Sequence, residues 1–448
     1  MNDGIKVKII LLVLWLFLGS AISALAQDTL SLNLSAAIDL ALQNNETYLI
    51  AAKDVDRANA VITEALSSAL PQVTAGLTYL RNWEIPVNVL KMGDETVQFK
   101  FGTTNSYTAD LTLTQPLYSG GRTFAALSIA RYAKKLVHQS VRQSSQDVKI
   151  LVYNGFYGAI LANEVYRVNQ EAYQLAKDNL DLVQKMYDQG MSAEFDLLRA
   201  RVAVANLEPA VISAKSDAEL AMKALKNSVG IELAKNVRLD TDFDSTKFIL
   251  PPIDTVEAKQ ELLKNRPEIL ISEQNTSIRK KMISLSAAGY KPTLTVQTSL
   301  QYQRQYDTGE IFGQNWNRSI ASAVVLQIPI FDSWRTPSQV KQAKIQFQQS
   351  KLQDQAVKKG MLLDFEQSLG NYLEARNRLS AQGDAVQLAR RGLEIANVRF
   401  ESGVGTQLEV SDARLSLSQA EINRAVAFHD LAVSYANLLR SLGRDINP

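Results

Sequence analysis

The sequence predicts a mainly α chain with a small β part of membrane-strand length, built by duplicating one helix/β-hairpin/long antiparallel helical hairpin plan. Three observations predict it. Gly190, Ala200, Arg201, Glu208 and Gly230 recur as Gly403, Ala413, Arg414, Glu421 and Gly443 at a constant offset of 213 residues, a period far longer than that of solenoids or propellers. Four segments of about ten residues alternate apolar and polar side chains with period two. After Pro116 no proline occurs until Pro209, and after Pro337 none until Pro448, so nothing forbids very long helices in those stretches.

Taken in order, residues 1–26 read as a cleaved export signal: Lys6 and Lys8 precede the apolar run "IILLVLWLFLG", and Ala24 and Ala26 form a small-residue cleavage site before Gln27. An apolar run of about eleven residues is short of the roughly twenty that a spanning helix needs. The first repeat then covers 27–233, a linker 234–253 and the second repeat 254–445. Each repeat opens with a helical stretch, "LSAAIDLALQNN" continuing to Leu70 and "TVEAKQELLKNRPEILISEQNTSIRKKMISLSAA", and each meets a proline, Pro71 or Pro292, where a helix ends.

Strands follow at about 72–82 and 105–115, then at 293–303 and 319–328. Val73, Ala75, Leu77 and Tyr79 fall on one face of the first, with Thr74, Gly76 and Thr78 on the other. The polar stretches 81–105 and 303–318 read as loops. Long helices are expected at 119–189, 192–229, 333–402 and 406–442. A heptad-like seam runs from Leu127 through Val148, Leu151 and Val183, and a small-residue stripe (Ala413, Ala420, Ala427, Ser434) runs beside Val410, Leu417, Leu431 and Leu438. A helix of about 70 residues is roughly 105 Å long. Gly190 and the pair Gly403 and Gly405 then mark the turns of two long helical hairpins, with glycine suited to the left-handed helix end and Ser192 and Thr406 able to cap the next helix.

Composition excludes several functions. A formal net charge of +2 with no dense basic block gives no footprint for nucleic acid. The chain has no cysteine, hence no disulfide framework, thiolate metal site or Cys nucleophile. His138 and His429 stand in helical runs without metal-ligand spacing, "SGGR" lacks the P-loop lysine and "GVGTQL" lacks the third glycine of a dinucleotide fingerprint. No enzyme, no cofactor and no metal site is expected. If the four strands enter lipid they cannot close a barrel alone, and open edges there cost several kcal/mol per unpaired group. A soluble antiparallel sheet with one wet face has the same alternation.

The exported N-terminus, "LSAAIDLALQNN", "ALPQVTAGLTY", "QPLYSGGR", "YDQGMSAEFDLLRARVAVANLE" and "FESGVGTQLEVSDARLSLSQAE" together resemble the outer-membrane efflux proteins, the TolC-like channel-tunnels. The resemblance covers nearly the whole mature chain. It implies a homotrimer whose α-barrel crosses the periplasm and is continuous with a 12-stranded transmembrane β-barrel, four strands per chain. It also implies an exit duct of a tripartite efflux or type I secretion system, in the outer membrane of a Gram-negative-type bacterium. The partners implied are a periplasmic adaptor, through it an inner-membrane pump, and outer-membrane lipid.

The same resemblance places a periplasmic gate at Glu409 and Asp412, three apart on one helical face, with Asp196 as the counterpart of Glu409. In a trimer, about six carboxylates would crowd the axis, favouring cations and repelling one another. A plainer reading stays open: "TQLE" at 406–409 is a capping box, and an acid such as Asp196 suits a first helical turn. Some family members lock this end with a Tyr and an Arg where this chain has Phe400 and Gly405. Gly190, Met191, Gly403, Val404, Gly405 and Thr406 form the tips expected to dock the adaptor. Arg199 and Arg414 are further candidates for bridges. The competing reading of the whole chain is a periplasmic coiled-coil adaptor or scaffold without a pore, which would not need four strands of membrane length.

Overall fold

A computed structural model of the protein describes residues 30–93, 95–100, 102–240, 245–307 and 316–446. The export signal expected at residues 1–26 lies outside them. In chain order the described residues form β1 (Leu30–Leu32), α1 (Leu34–Asn44), α2 (Glu46–Ser67), β2 (Gln72–Arg81), β3 (Val87–Met92), β4 (Glu95–Lys100) and β5 (Asn105–Tyr118). There follow α3 (Arg122–Asp188), α4 (Glu194–Val229), β6 (Val237–Leu239), α5 (Thr255–Asn265), α6 (Pro267–Ala287), β7 (Thr293–Tyr306), β8 (Asn317–Gln327), α7 (Arg335–Glu401) and α8 (Gln407–Ser441). They divide into two compact units, one drawn from Met1–Lys53, Gln139–Leu270 and Val357–Pro448, the other from Asp54–His138 and Ile271–Ala356.

The second unit holds a four-stranded sheet in the order β2-β5-β7-β8, antiparallel throughout. Its register sorts the side chains by polarity. Val73, Ala75 and Leu77 lie opposite Leu113, Leu111 and Ala109, and Leu111 continues to Leu300 and Ile320, all on one face. Thr74, Gly76 and Thr78 lie opposite Thr112, Asp110 and Thr108 on the other. Gly76 leaves room for Asp110, whose carboxylate oxygen stands 2.6 Å from where a β-carbon would be. The apolar face is uncovered in the single chain: Leu77 is 89%, Val324 69% and Val73 63% exposed. So large an exposed apolar sheet face marks a membrane or protein contact. The outer edges of β2 and β8 pair with nothing among the described residues.

One loop expectation is corrected here. The stretch 81–105 carries a further hairpin, β3 paired antiparallel with β4 from Val87 opposite Lys100 to Met92 opposite Glu95. At the stretch 303–318, β7 runs on to Tyr306 and β8 starts at Asn317, so each strand extends a few residues into it. The residues of 81–105 mix Lys, Thr and Asn with apolar side chains, which reads as loop in one dimension. Cross-strand pairing holds them in a sheet nonetheless.

The first unit buries its core around Tyr153, Phe156, Tyr157, Phe248, Phe365, Tyr372, Phe428 and Leu431. The edge-on contacts of Tyr157 with Phe248 and Phe428 (centroids 5.5 and 6.0 Å) are the favoured aromatic geometry. Burial pushes the Tyr157 phenol up to about 12. The Tyr372 hydroxyl donates to the Phe248 carbonyl at 2.8 Å and accepts the Leu250 N–H at 2.9 Å. This ties residues expected to be an inter-repeat linker into the core. β6 in the same stretch pairs in parallel with β1.

Each opening helical stretch is broken, which the sequence reading did not anticipate. α1 stops at Asn44 and α5 at Asn265, and Asn45 and Arg266 are both extended. Asn45 Oδ1 accepts the N–H of Thr47 at 3.0 Å and so starts α2. Pro267 occupies the first position of α6, where its missing N–H costs nothing. Pro267 itself pushes Arg266 out of the helical region, and both breaks receive a close approach. A β-carbon on Gly230 would stand 2.7 Å from Asn44 Cβ, and one on Gly443 2.8 Å from the backbone of Asn265 and Arg266. The glycine ending each second long helix is seated against the break in its own repeat.

The heptad seam holds in part. Val148 and Val183 are buried, but Leu151 is 49% exposed while Val152, Ala159 and Ile160 are buried. A strict seven-residue repeat drifts off one face of a 3.6-residue helix. The small-residue stripe of α8 is covered, with Ala420, Ala427 and Ser434 buried beside Val410, Leu431 and Leu438.

Candidate functional site

The two helical hairpins α3–α4 and α7–α8 turn through matching backbone motifs. At the first turn Gly190 has φ 72°, its N–H donates to the Tyr187 carbonyl at 2.8 Å, and the Met191 N–H donates to the Met186 carbonyl at 2.8 Å. At the second Gly403 has φ 74°, its N–H donates to Phe400 at 3.0 Å, and the N–H groups of Val404 and Gly405 both donate to the Arg399 carbonyl, at 3.0 and 2.9 Å. This bonding satisfies carbonyls that a helix end leaves orphaned, and the left-handed residue it requires is glycine at both places. Gly405 is needed for a different reason. A β-carbon there would stand 2.9 Å from both Arg399 Cβ and Phe400 N.

The next helices start differently. Thr406 caps α8, its hydroxyl accepting the Glu409 N–H at 3.3 Å. The cap of α4 is Ala193, with no side-chain bond, so the capping role expected of Ser192 is not realised. The first tip gains its cohesion from Val183, Leu197 and Ala200, buried together with Leu180 against them.

The acids expected at the gate fall as follows. Glu409 does not complete a capping box with its carboxylate. It pairs with Arg399 Nε at 3.3 Å, both side chains about half exposed, and Arg399 also donates to the Val404 carbonyl at 3.5 Å. Asp412 is exposed, one turn on, and its carboxylate has no partner among the described residues. Asp196 sits in the first turn of α4, and no bond among the described residues joins it to Glu409 or Asp412. Met191, Phe195 and Val404 present apolar side chains to solvent, 63%, 67% and 70% exposed. Arg199 stacks over the Phe195 ring at 5.8 Å.

Arg399 was missed by sequence reasoning. It becomes relevant because the glycine turn brings the last turn of α7 against the first turn of α8, a contact that follows from the turn motif once that is assigned. Arg414 crosses between the hairpins: its Nη1 donates to the Leu175 carbonyl of α3 at 3.1 Å. Burial lowers its pKa, offset in part by the charge of Asp178. Its Nε is buried without a partner. Among the described residues no cluster of His, Asp or Glu could hold a metal ion, and no helix is long and apolar enough to cross a membrane.

A sheet with a bare apolar face, in one chain with paired long helical hairpins, defines a class: envelope proteins that couple a small β part to long helices. The outer membrane efflux protein family matches residues 37–231 and 258–444, and the chain belongs to it. Outer membrane protein TolC of Vibrio cholerae is 21% identical over 437 residues, 96% of this chain and 94% of that protein. Alkaline protease secretion protein AprF of Pseudomonas aeruginosa is 20% identical over 443 residues, 95% of this chain and 87% of that one. Among solved structures, CusC superposes with a TM-score of 0.76 at 19% identity, covering 93% of this chain and 94% of its own. The fold is that of the TolC-like channel-tunnels, and the protein is an outer-membrane efflux channel.

Proposed function

We propose that three copies assemble into a passive exit duct, their four-stranded sheets closing a twelve-stranded barrel in the outer membrane and their helices forming the periplasmic tube. The observation that carries this reading is the sheet β2-β5-β7-β8, apolar on one face, polar on the other and, among the described residues, unpaired at both edges. In lipid such edges must be closed. Two copies would give eight strands and a nearly filled interior, while three give twelve and leave a lumen. The chain reaches the membrane after export and cleavage behind Ala26.

In the trimer, Glu409 and Asp412, with Asp196 beside them, narrow the periplasmic end. The exposed tips Gly190–Met191 and Gly403–Thr406 dock a periplasmic adaptor and through it an inner-membrane pump. The tip glycines let a partner helix approach closely, and Met191 and Val404 offer it apolar surface. Duct service for protein secretion is the second reading, favoured by the likeness to the protease secretion protein over nearly the whole chain.

Single-channel recording of the detergent-purified protein in a planar bilayer tests the duct. The wild type is expected to give small cation-selective currents, and Glu409→Gln/Asp412→Asn to give larger or less selective ones. Unchanged currents in the double variant would return both acids to helix capping and solvation. No current from a folded trimer would leave a scaffold.

A further inference from the structure

The end of the sheet away from its helical connections carries arginines on the apolar face. Register puts Tyr302 opposite Arg318, Tyr107 opposite Arg304 and Asn105 opposite Tyr306, and Tyr79 opposite Tyr107 and Arg81 opposite Asn105. Arg318, Arg304 and Arg81 therefore occupy three successive rungs on the same face as Leu77, Leu111 and Leu300. Between them runs a ladder of rings. Tyr79 stacks on Tyr107 at 4.7 Å and Tyr107 on Tyr306 at 5.9 Å, and the Tyr79 hydroxyl donates to Asn105 Oδ1 at 2.8 Å. Arg304 lies 4.4 Å over the Tyr306 ring and Arg81 4.5 Å over that of Trp83.

The height of this rim is informative. From Leu294 to Arg304 the apolar face of β7 advances ten residues, about 34 Å along the strand and about 25 Å along the barrel axis at a tilt near 42°. That equals the roughly 25 Å apolar band of outer-membrane barrels. The rings stand where interfacial aromatics stand, and the exposed side chains of Arg81 and Arg318 lie at headgroup level.

Arg81 and Arg318 are exposed and have no ion pair among the described residues. The nearby described carboxylate of Asp307 is engaged by the Thr104 N–H and hydroxyl at 2.9 and 3.2 Å. Asp110 belongs to the opposite face. A planar guanidinium fork matches phosphate oxygens.

We propose that this rim binds the phosphate groups of an outer-leaflet glycolipid, lipid A, with Arg81 and Arg318 as ligands, Arg304 buried against the rings behind them, and the tyrosine ladder as the surface for its sugar–acyl junction. The assignment rests on the channel reading, which turns this end of the strands outward. Unlike a diffuse basic surface, it requires phosphate on a lipid held beside the rings.

The test counts lipid bound to the purified full-length trimer by native mass spectrometry. The probes are bisphosphorylated lipid A, its dephosphorylated form and phosphatidylglycerol, and each sample is also checked for single-channel conductance. Wild type should prefer the bisphosphorylated form, and Arg81→Gln/Arg318→Gln should weaken that binding roughly tenfold while conducting normally. Arg81→Lys/Arg318→Lys should retain part of it. Equal binding of the dephosphorylated lipid or of phosphatidylglycerol, or a conducting glutamine variant that binds as wild type, overturns the site. A trimer that fails to conduct overturns the channel reading and the assignment with it.

Discussion

The two hairpin tips are copies of one design whose cohesion comes from different interactions. Both close with the same pair of backbone bonds around a left-handed glycine, Gly190 or Gly403. The first is then held by apolar burial of Val183, Leu197 and Ala200, and its second helix starts uncapped at Ala193. The second is held by polar contacts: Thr406 caps α8, and Arg399 reaches both Glu409 and the Val404 carbonyl. Duplication fixed the turn geometry, and divergence moved one tip toward interactions that charge and salt can alter. On that difference the second tip is the one that charge and salt should loosen, and the first the one that should keep its packing.

The largest effect is expected at the first tip. Leu197 is 5% exposed, and Leu197→Ala removes the centre of a small cluster, costing about 2 kcal/mol, the low end for buried leucine because the cavity borders solvent. Hydrogen exchange should show amides near 183–200 opening faster while those near 399–412 keep their protection. Equal acceleration at both tips would mean that the two are one cooperative unit and the contrast is false.

A smaller change separates the caps. Thr406→Ala loses the side-chain acceptor for the Glu409 N–H and should loosen the second tip by about 1 kcal/mol. Ala193→Ser should tighten the first by a similar amount, because it supplies the acceptor that Ser192, one residue too early, does not. Hydrogen exchange at 407–410 and at 194–197 reads both changes. No gain from Ala193→Ser would show that the first tip's backbone is unsuited to a side-chain cap.

Much of this was legible in the sequence, for identifiable reasons. The duplication and the turns are carried by glycines, whose backbone role is local. The four strands are carried by alternation that survives in one dimension. The hairpin from Val87 to Lys100 was lost because its strands are too mixed in polarity to alternate cleanly. The break at Asn45 was lost because its cause is tertiary, the seating of Gly230 against it, whereas that at Arg266 was legible in Pro267, since a residue before proline disfavours the helical region. At the candidate gate the acids were legible as types. Their partners were not, since Arg399 and Glu409 meet only across a turn, and Arg414 meets Leu175 only when two hairpins lie side by side.

The smallest stability effect, and the sharpest test of the comparison, lies in Arg399 and Glu409. Both side chains are about half exposed and the contact is a single bond of 3.3 Å, so the pair's own coupling should be about 0.5 kcal/mol or less. A cycle of Arg399→Gln, Glu409→Gln and the double variant, read by hydrogen exchange, should return that value at low salt and near zero at high salt, where the Debye length falls to about 3 Å. Arg399 has a second bond, to the Val404 carbonyl, so Arg399→Gln should loosen the turn more than Glu409→Gln does. If the tip works as a closure, conductance should rise more in Arg399→Gln than in Glu409→Gln, and rise with salt in the wild type beyond the bulk conductivity of the solution. A coupling indifferent to salt would mean the second tip is held by its backbone bonds and the Thr406 cap, and the divergence between the copies would then lie in their caps and not in their charges.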